Sequence, residues 1–384
     1  MSIRQHNLGS IVKPGFNALG AQTSVTTYFP YLYSWGRNNA GQLGLNNLTD
    51  YSSPKQVGSL TTWANITGGG NQFVISTKTD GTLWSWGANF PNGSLGLNNN
   101  TDYSSPKQVG SLTAWLNVAS AYGGHSLATK TDGTLWSWGY NAQGQLGVGN
   151  TTTRSSPVQV GALTNWSLVS AAENASMALK TDGTMWSWGE GSYGYLGLGN
   201  TTSYSSPKQI GALTTWAQIS MGGGRAGFAI KTNGTLWAWG RGDNGGSLGL
   251  GNLTNYSSPV QVGALTNWSK ISAGNFYCVA LKTDNTMWAW GTNNSGQLGQ
   301  GNTTDRSSPV QIGALSTWSS ISAQGLDCCG ATKTDGTLWM WGNNAFGQLG
   351  QNNSTYRSSP VQVGALTTWY KILATRFSTI ALLY

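Results

Sequence analysis

The sequence predicts an all-β protein: a single seven-bladed β-propeller of four-stranded antiparallel blades, closed by pairing of its N- and C-terminal strands. Three observations carry this. A Trp-Gly pair recurs seven times, at Trp35, Trp86, Trp138, Trp188, Trp239, Trp290 and Trp341, spaced by 50 to 52 residues. Each pair is followed by a G-x-L-G turn and then by Ser-Ser-Pro, as in Gly41-Gln42-Leu43-Gly44 and Pro54. Each unit also holds four short segments of strand character, the number in a propeller blade.

The third strand of a unit is the clearest. In Leu83-Trp84-Ser85-Trp86-Gly87 the alternation puts Leu83 and Ser85 on one face and Trp84 and Trp86 on the other. The segment ending in Lys78 reads as the second strand. Asp80-Gly81 and its repeats at Asp132, Asp182, Asn233 and Asp335 join the two, with residues that accept positive φ in a two-residue hairpin. Trp-x-x-Ile-Ser supplies the first strand. Pro-x-Gln-Val supplies the fourth, and a proline at its start suits an outer edge that needs no donor there. The chain ends at Ile380-Ala381-Leu382-Leu383-Tyr384, where a hairpin turn is due, and Tyr31 to Gly36 begins where that turn would end. One blade is therefore expected to be shared between the two ends, leaving no open edge.

Composition narrows the function. All 20 tryptophans occupy repeat positions, so Trp is core and none is left for a special site. Only 8% of residues are charged, and the net +8 is spread without runs, which argues against specific nucleic-acid binding. Lys78, Lys130, Lys180, Lys231, Lys282 and Lys333 share one repeat position and are expected to form a solubilising ring beside the hairpins. Cys278, Cys328 and Cys329 lack metal or disulfide spacing and are expected in the core. With two histidines, and twelve acids of which Asp80, Asp132, Asp182, Asp284 and Asp335 are turn residues and seven are scattered singly, no metal, cofactor or hydrolytic motif emerges, and the protein is expected not to be an enzyme. The Asn-x-Thr triplets read as loop chemistry. No apolar run reaches 18 residues, so membrane insertion is not expected.

Trp-Gly, G-Q-L-G, the downstream proline and the Asp-Gly hairpin, recurring in order over residues 31 to 384, resemble the regulator of chromosome condensation repeat family. The resemblance implies a seven-bladed propeller. Family members include exchange factors for a small nuclear GTPase and a plant UV-B photoreceptor. The photoreceptor's Gly-Trp-Arg-His-Thr loop is replaced here by Gly-Gly-Asn-Gln-Phe, Tyr-Gly-Gly-His-Ser and Ala-Glu-Asn-Ala-Ser, without Trp. The basic tail of the chromatin-binding member has no counterpart in residues 1–30, which carry only Arg4 and Lys13.

One stretch escapes the repeat: the loop between the first and second strands differs in almost every unit. Diversity on a uniform scaffold points to recognition. In antiparallel blades this loop and the G-x-L-G loop leave the same rim, with the hairpins on the other. The candidates on that face are Asn71, Gln72, Tyr122, His125, Glu173, Asn174, Arg225, Tyr277, Asp327, Arg376 and Phe377, joined by Phe90, Tyr193, Arg241 and Phe346 from the longer loops. The expected function is a non-enzymatic binding module meeting a protein or glycan surface, on a virion or extracellular surface, with residues 1–30 as a polar arm tethering the 31–384 propeller to a virion scaffold. The alternative is a cytoplasmic regulator of a small GTPase.

Overall fold

The computed structural model describes residues 30–70, 72–89 and 91–384. The expected arm lies outside the described residues except for Pro30. Seven four-stranded antiparallel sheets follow one another around an axis. Blades 1 to 6 each take four consecutive strands, beginning at Trp63, Trp115, Trp166, Trp216, Trp268 and Trp318. Blade 7 is composite: the inner strands Trp369–Ala374 and Ser378–Leu383 come from the C-terminus, the outer strands Tyr31–Gly36 and Tyr51–Gln56 from the N-terminus. Tyr31 pairs with Leu383 and Gly36 with Ser378, so the closure expected from the truncated ends is present residue for residue.

The alternation read in the third strand sets how blades stack. Trp84 and Trp86 both meet Trp63 edge-on, at 6.1 and 5.8 Å between ring centroids, and pack toward Leu32 and Leu382 of blade 7. Leu83 faces the other way, into a cluster with Trp115 and Trp138 of blade 2. Both faces of each blade are thus buried, and the core is a ring of seven inter-blade layers. The second strands are correspondingly buried along their length, as in Phe73–Lys78 and His125–Lys130.

A hydrogen bond crosses every layer. Each Trp-Gly indole donates to a carbonyl in the preceding blade's G-x-L-G loop: Trp86 to Gln42 at 3.1 Å, Trp138 to Ser94 at 2.9 Å, and Trp35 to Gln348 at 2.9 Å across the closure. A buried indole N–H would otherwise be unsatisfied. The Asn-x-Thr asparagines serve the same loops: Asn47, Asn99, Asn150, Asn200, Asn252, Asn302 and Asn353 each accept the backbone N–H two residues on. They are Asx turns, as the loop-chemistry reading requires.

Two expectations are corrected. The outer strand starts three residues before proline, so Pro54 stands fourth in Tyr51–Gln56. The register jumps between Ser34 and Gly36, and this irregularity lets the missing donor fall within an edge strand. The lysine ring is not a set of free surface charges. Lys130 Nζ lies 4.7 Å from the Trp115 ring centroid and 3.7 Å from that of Trp136, and the other five lysines repeat the arrangement. The strand register places each stem between two tryptophans, and cation–π attraction holds it there. The three cysteines are buried and free, as expected.

Candidate interaction face

The loop parity follows from one repeated bond. The backbone N–H directly after each Trp-Gly donates to the carbonyl of the last variable-loop residue: Arg37 to Phe377, Ala88 to Gln72, Tyr140 to Gly124, Glu190 to Asn174, Arg241 to Arg225, Thr292 to Phe276 and Asn343 to Asp327, at 2.8 to 3.1 Å. Variable loops and G-x-L-G loops therefore form one rim. The buried glutamines of the G-x-L-G turns tie that rim across blades, with Gln42 Nε2 donating to Gln72 Oε1 at 3.2 Å and Gln297 Nε2 to Asp327 Oδ1 at 3.3 Å.

Two side-chain clusters stand on this face. The first spans blades 3 to 5. Arg225 pairs with Glu173 and Glu190, both at 3.1 Å, and its guanidinium lies 5.5 Å from the Tyr193 ring. Arg241 covers Tyr193 and Phe276 at 4.8 and 5.3 Å and pairs with Asp243 at 2.6 Å. Burial raises the Glu173 carboxyl, opposed by Arg225 and reinforced by Glu190. Asn174 joins the cluster by donating to Glu190 at 3.2 Å.

The second cluster is a continuous ladder from the axis to the rim. Arg376 donates to the Tyr122 hydroxyl and lies over the rings of Tyr122 and Phe377, at 5.3 and 4.5 Å. Phe377 meets Phe346 edge-on at 5.3 Å, and Arg37 lies over both, at 5.0 and 4.7 Å. Blade 1 lies between the blades that carry Arg376 and Tyr122. Its Gly70 leaves the space: a Cβ there would stand 1.9 Å from Tyr122 Cδ2. Burial raises the Asp327 carboxyl, with Arg376 pulling the other way.

Most of the sequence candidates meet on this rim, but two do not. His125 and Tyr277 open the second strands of their blades and are 0% and 1% exposed. His125 Nε2 meets Ser176 Oγ at 2.9 Å, and Tyr277 donates its hydroxyl to the Cys328 carbonyl at 2.8 Å. Both are struts between blades, because the first residue of a strand buried on both faces has no solvent side. Asn71 and Phe90 lie outside the described residues. Sequence reasoning missed Phe276, Glu190 and Arg37. The signal was available: in the six units that have the repeat lysine the rim residue stands six before it, and its partner always follows Trp-Gly.

At the centre, residues from all seven blades line a recess of about 30 Å³. That is room for a water molecule or two, so the face suits docking rather than enclosing a small molecule. Among the described residues no group of three or more His, Cys, Asp or Glu could hold a metal, and no helix is long and apolar enough to cross a membrane.

Six segments, residues 31–75, 132–179, 182–226, 233–281, 284–325 and 335–382, match the regulator of chromosome condensation (RCC1) repeat. The chain belongs to this family. Among its relatives are the human E3 ubiquitin-protein ligase HERC2, 30% identical over 87% of this chain, and the Arabidopsis thaliana ultraviolet-B receptor UVR8, 32% identical over 86%. The chain spans 7% of the ligase and 65% of the receptor. Among solved structures, human WBSCR16 superposes with a TM-score of 0.80 at 20% identity, covering 92% of this chain and 98% of that one. Prp20p from Saccharomyces cerevisiae, described with its binding to Gsp1p and histones, gives 0.80 at 17% identity, covering 93% and 92%. These two likenesses speak to the fold alone.

Proposed function

We propose that this RCC1-repeat propeller is a non-enzymatic protein-interaction module that docks a partner on its variable-loop face, at a virion or extracellular surface, with residues 1–30 as its tether. The observation that carries the docking face is the Tyr122–Arg376–Phe377–Phe346–Arg37 ladder. Aromatic side chains bury large area while losing few rotamers, and the arginines, which have more rotamers to lose, are already held over the rings before a partner arrives. The binding of Prp20p to Gsp1p and histones, and of Kap60 to yeast RCC1 (Prp20), supports a protein rather than a glycan surface. The surface setting rests on the low charge fraction and the Asn- and Thr-rich loops.

Immunodetection after fractionating the native source tests the setting: the chain is expected in purified particles or on the outer cell surface, and recovery confined to the cytosol overturns it. The docking face is tested on the partner crosslinked there. Replacing Tyr122, Arg225, Arg376 and Phe377 by Ala is expected to weaken binding at least about tenfold, or ~1.4 kcal/mol. A variant that starts at Val25 is expected to keep its melting temperature and lose its place in the assembly. Accelerated nucleotide exchange on a small GTPase would replace this reading by the regulator alternative.

A further inference from the structure

Three inter-blade layers are covered at the outer wall by a leucine and a tyrosine of the preceding blade. Leu97 and Tyr103 pack on the layer between blades 1 and 2, Leu198 and Tyr204 on that between blades 3 and 4, and Leu250 and Tyr256 on that between blades 4 and 5. Between blades 5 and 6 the same two repeat positions hold Gln300 and Arg306. Polar side chains thus replace the apolar cover, and both line a groove of about 500 Å³.

Arg306 Nε donates to Gln300 Oε1 at 3.1 Å, which fixes the guanidinium and leaves its two terminal nitrogens for a ligand. No salt bridge among the described residues involves Arg306. Asp305, its neighbour in the chain, instead accepts from the Asn293 backbone N–H at 2.8 Å. Gln300 Nε2 is shut from solvent without a partner, so turning it toward a ligand oxygen breaks no donated bond. Gln351, at the same place in blade 6, spends its amide on the Gln362 carbonyl at 2.9 Å. The half-buried Trp339 and the exposed Val310 and Leu315 also line the groove. Lys333 Nζ, 3.7 Å from the Trp339 ring centroid, adds a second positive charge nearby.

We propose that the groove between blades 5 and 6 binds an acidic sugar of the uronate class, one or two rings long. The sugar carboxylate accepts two parallel bonds from the Arg306 guanidinium, a hydroxyl accepts from Gln300 Nε2, and the C–H face of a ring lies against the Trp339 indole. Size and lining agree, since small-molecule sites span about 300–1,000 Å³ and are mostly apolar with a few placed polar groups. A peptide added as a strand fits less well. Both walls are edge strands whose fourth residue is proline, Pro309 and Pro360, and each lacks a backbone donor there. No Asp or Glu lines the groove, so the sugar is held without the carboxylate pair that would cleave it. The site is separate from the variable-loop face and does not rest on the docking proposal.

Isothermal titration of the full chain with digalacturonate at about pH 7, where its carboxylates are ionised, tests the site against the dimethyl ester. Saturable binding of one digalacturonate per chain is expected, with the ester at least about tenfold weaker because it brings no charge to Arg306. The double variant Gln300→Leu, Arg306→Tyr installs the pair that covers the layer between blades 4 and 5. It is expected to fold and to bind at least about tenfold more weakly. No saturable heat from wild type, equal affinity for the ester, or undiminished binding in the double variant overturns the proposal. A short peptide with a free C-terminal carboxylate that binds more tightly than the sugar overturns it as well. Should the double variant fail to fold, the indole N–H resonance of Trp339 in wild type decides: digalacturonate is expected to shift it and to leave that of Trp84 in place, and an unmoved Trp339 counts against the site.

Discussion

Arg376 donates a hydrogen bond to the hydroxyl of Tyr122, a residue 254 positions earlier in the chain, across a blade whose Gly70 leaves the space for the Tyr122 ring. The bond anchors the axial end of the ladder on the interaction face. Tyr122→Phe and Arg376→Ala are therefore expected to be non-additive, with a coupling of about 0.5–1.5 kcal/mol in a double-mutant cycle read by denaturant unfolding. Additive losses would mean that the two side chains act separately.

Tyr277 belongs beneath the face. Removing its hydroxyl strands the Cys328 carbonyl it serves, so Tyr277→Phe is expected to lower stability by about 1–2 kcal/mol while leaving partner affinity unchanged. Equilibrium unfolding and a binding titration on the same variant separate the two effects. A binding loss without a stability loss would return Tyr277 to the face.

His125 makes the propeller acid-sensitive. Burial pushes its imidazole down to about 3 from an ordinary 6.5, so folding favours the neutral ring. Its contribution to stability is complete above about 6.5 and is lost as pH falls toward 3, at up to about 1.4 kcal/mol per pH unit. Phe73 fills the same position in blade 1, so His125→Phe is expected to fold and to flatten the melting-temperature profile across that window. An unchanged profile would place the acid sensitivity elsewhere.

The lysines over tryptophan should matter for folding and not for docking. Lys130→Ala removes a cation from two indole faces and is expected to cost about 1 kcal/mol in unfolding experiments. Partner affinity should not move, because these lysines sit at the hairpin end of the blades. Greater effects on binding than on stability would reverse the assignment of faces.

Deleting residues 31–36 takes away the third strand of blade 7, whose partners are Ser378–Leu383 on one side and Tyr51–Gln56 on the other. The melting temperature is expected to fall by many degrees, since two edges open and the Trp35 layer is lost. An unchanged melt would show that closure contributes nothing.

The sequence by itself determined the blade number, the four strands of each blade, the shared seventh blade and the rim that carries the variable loops. These follow from periodicity, turn chemistry and truncated repeats, all local signals that recur seven times and so correct one another. The tertiary structure alone decided which loop residues reach solvent. His125 and Tyr277 stand beside Gly124 and Phe276 in the chain, and alternation cannot separate them because the second strand is buried on both faces; only the stacking of the neighbouring blade does. It also decided what the charges do. The repeat lysines read as free charges beside the hairpins, yet Lys130 lies between two tryptophans. Charge neighbourhoods of this kind join residues as far apart as Arg376 and Tyr122, and they exist only once the ring has closed.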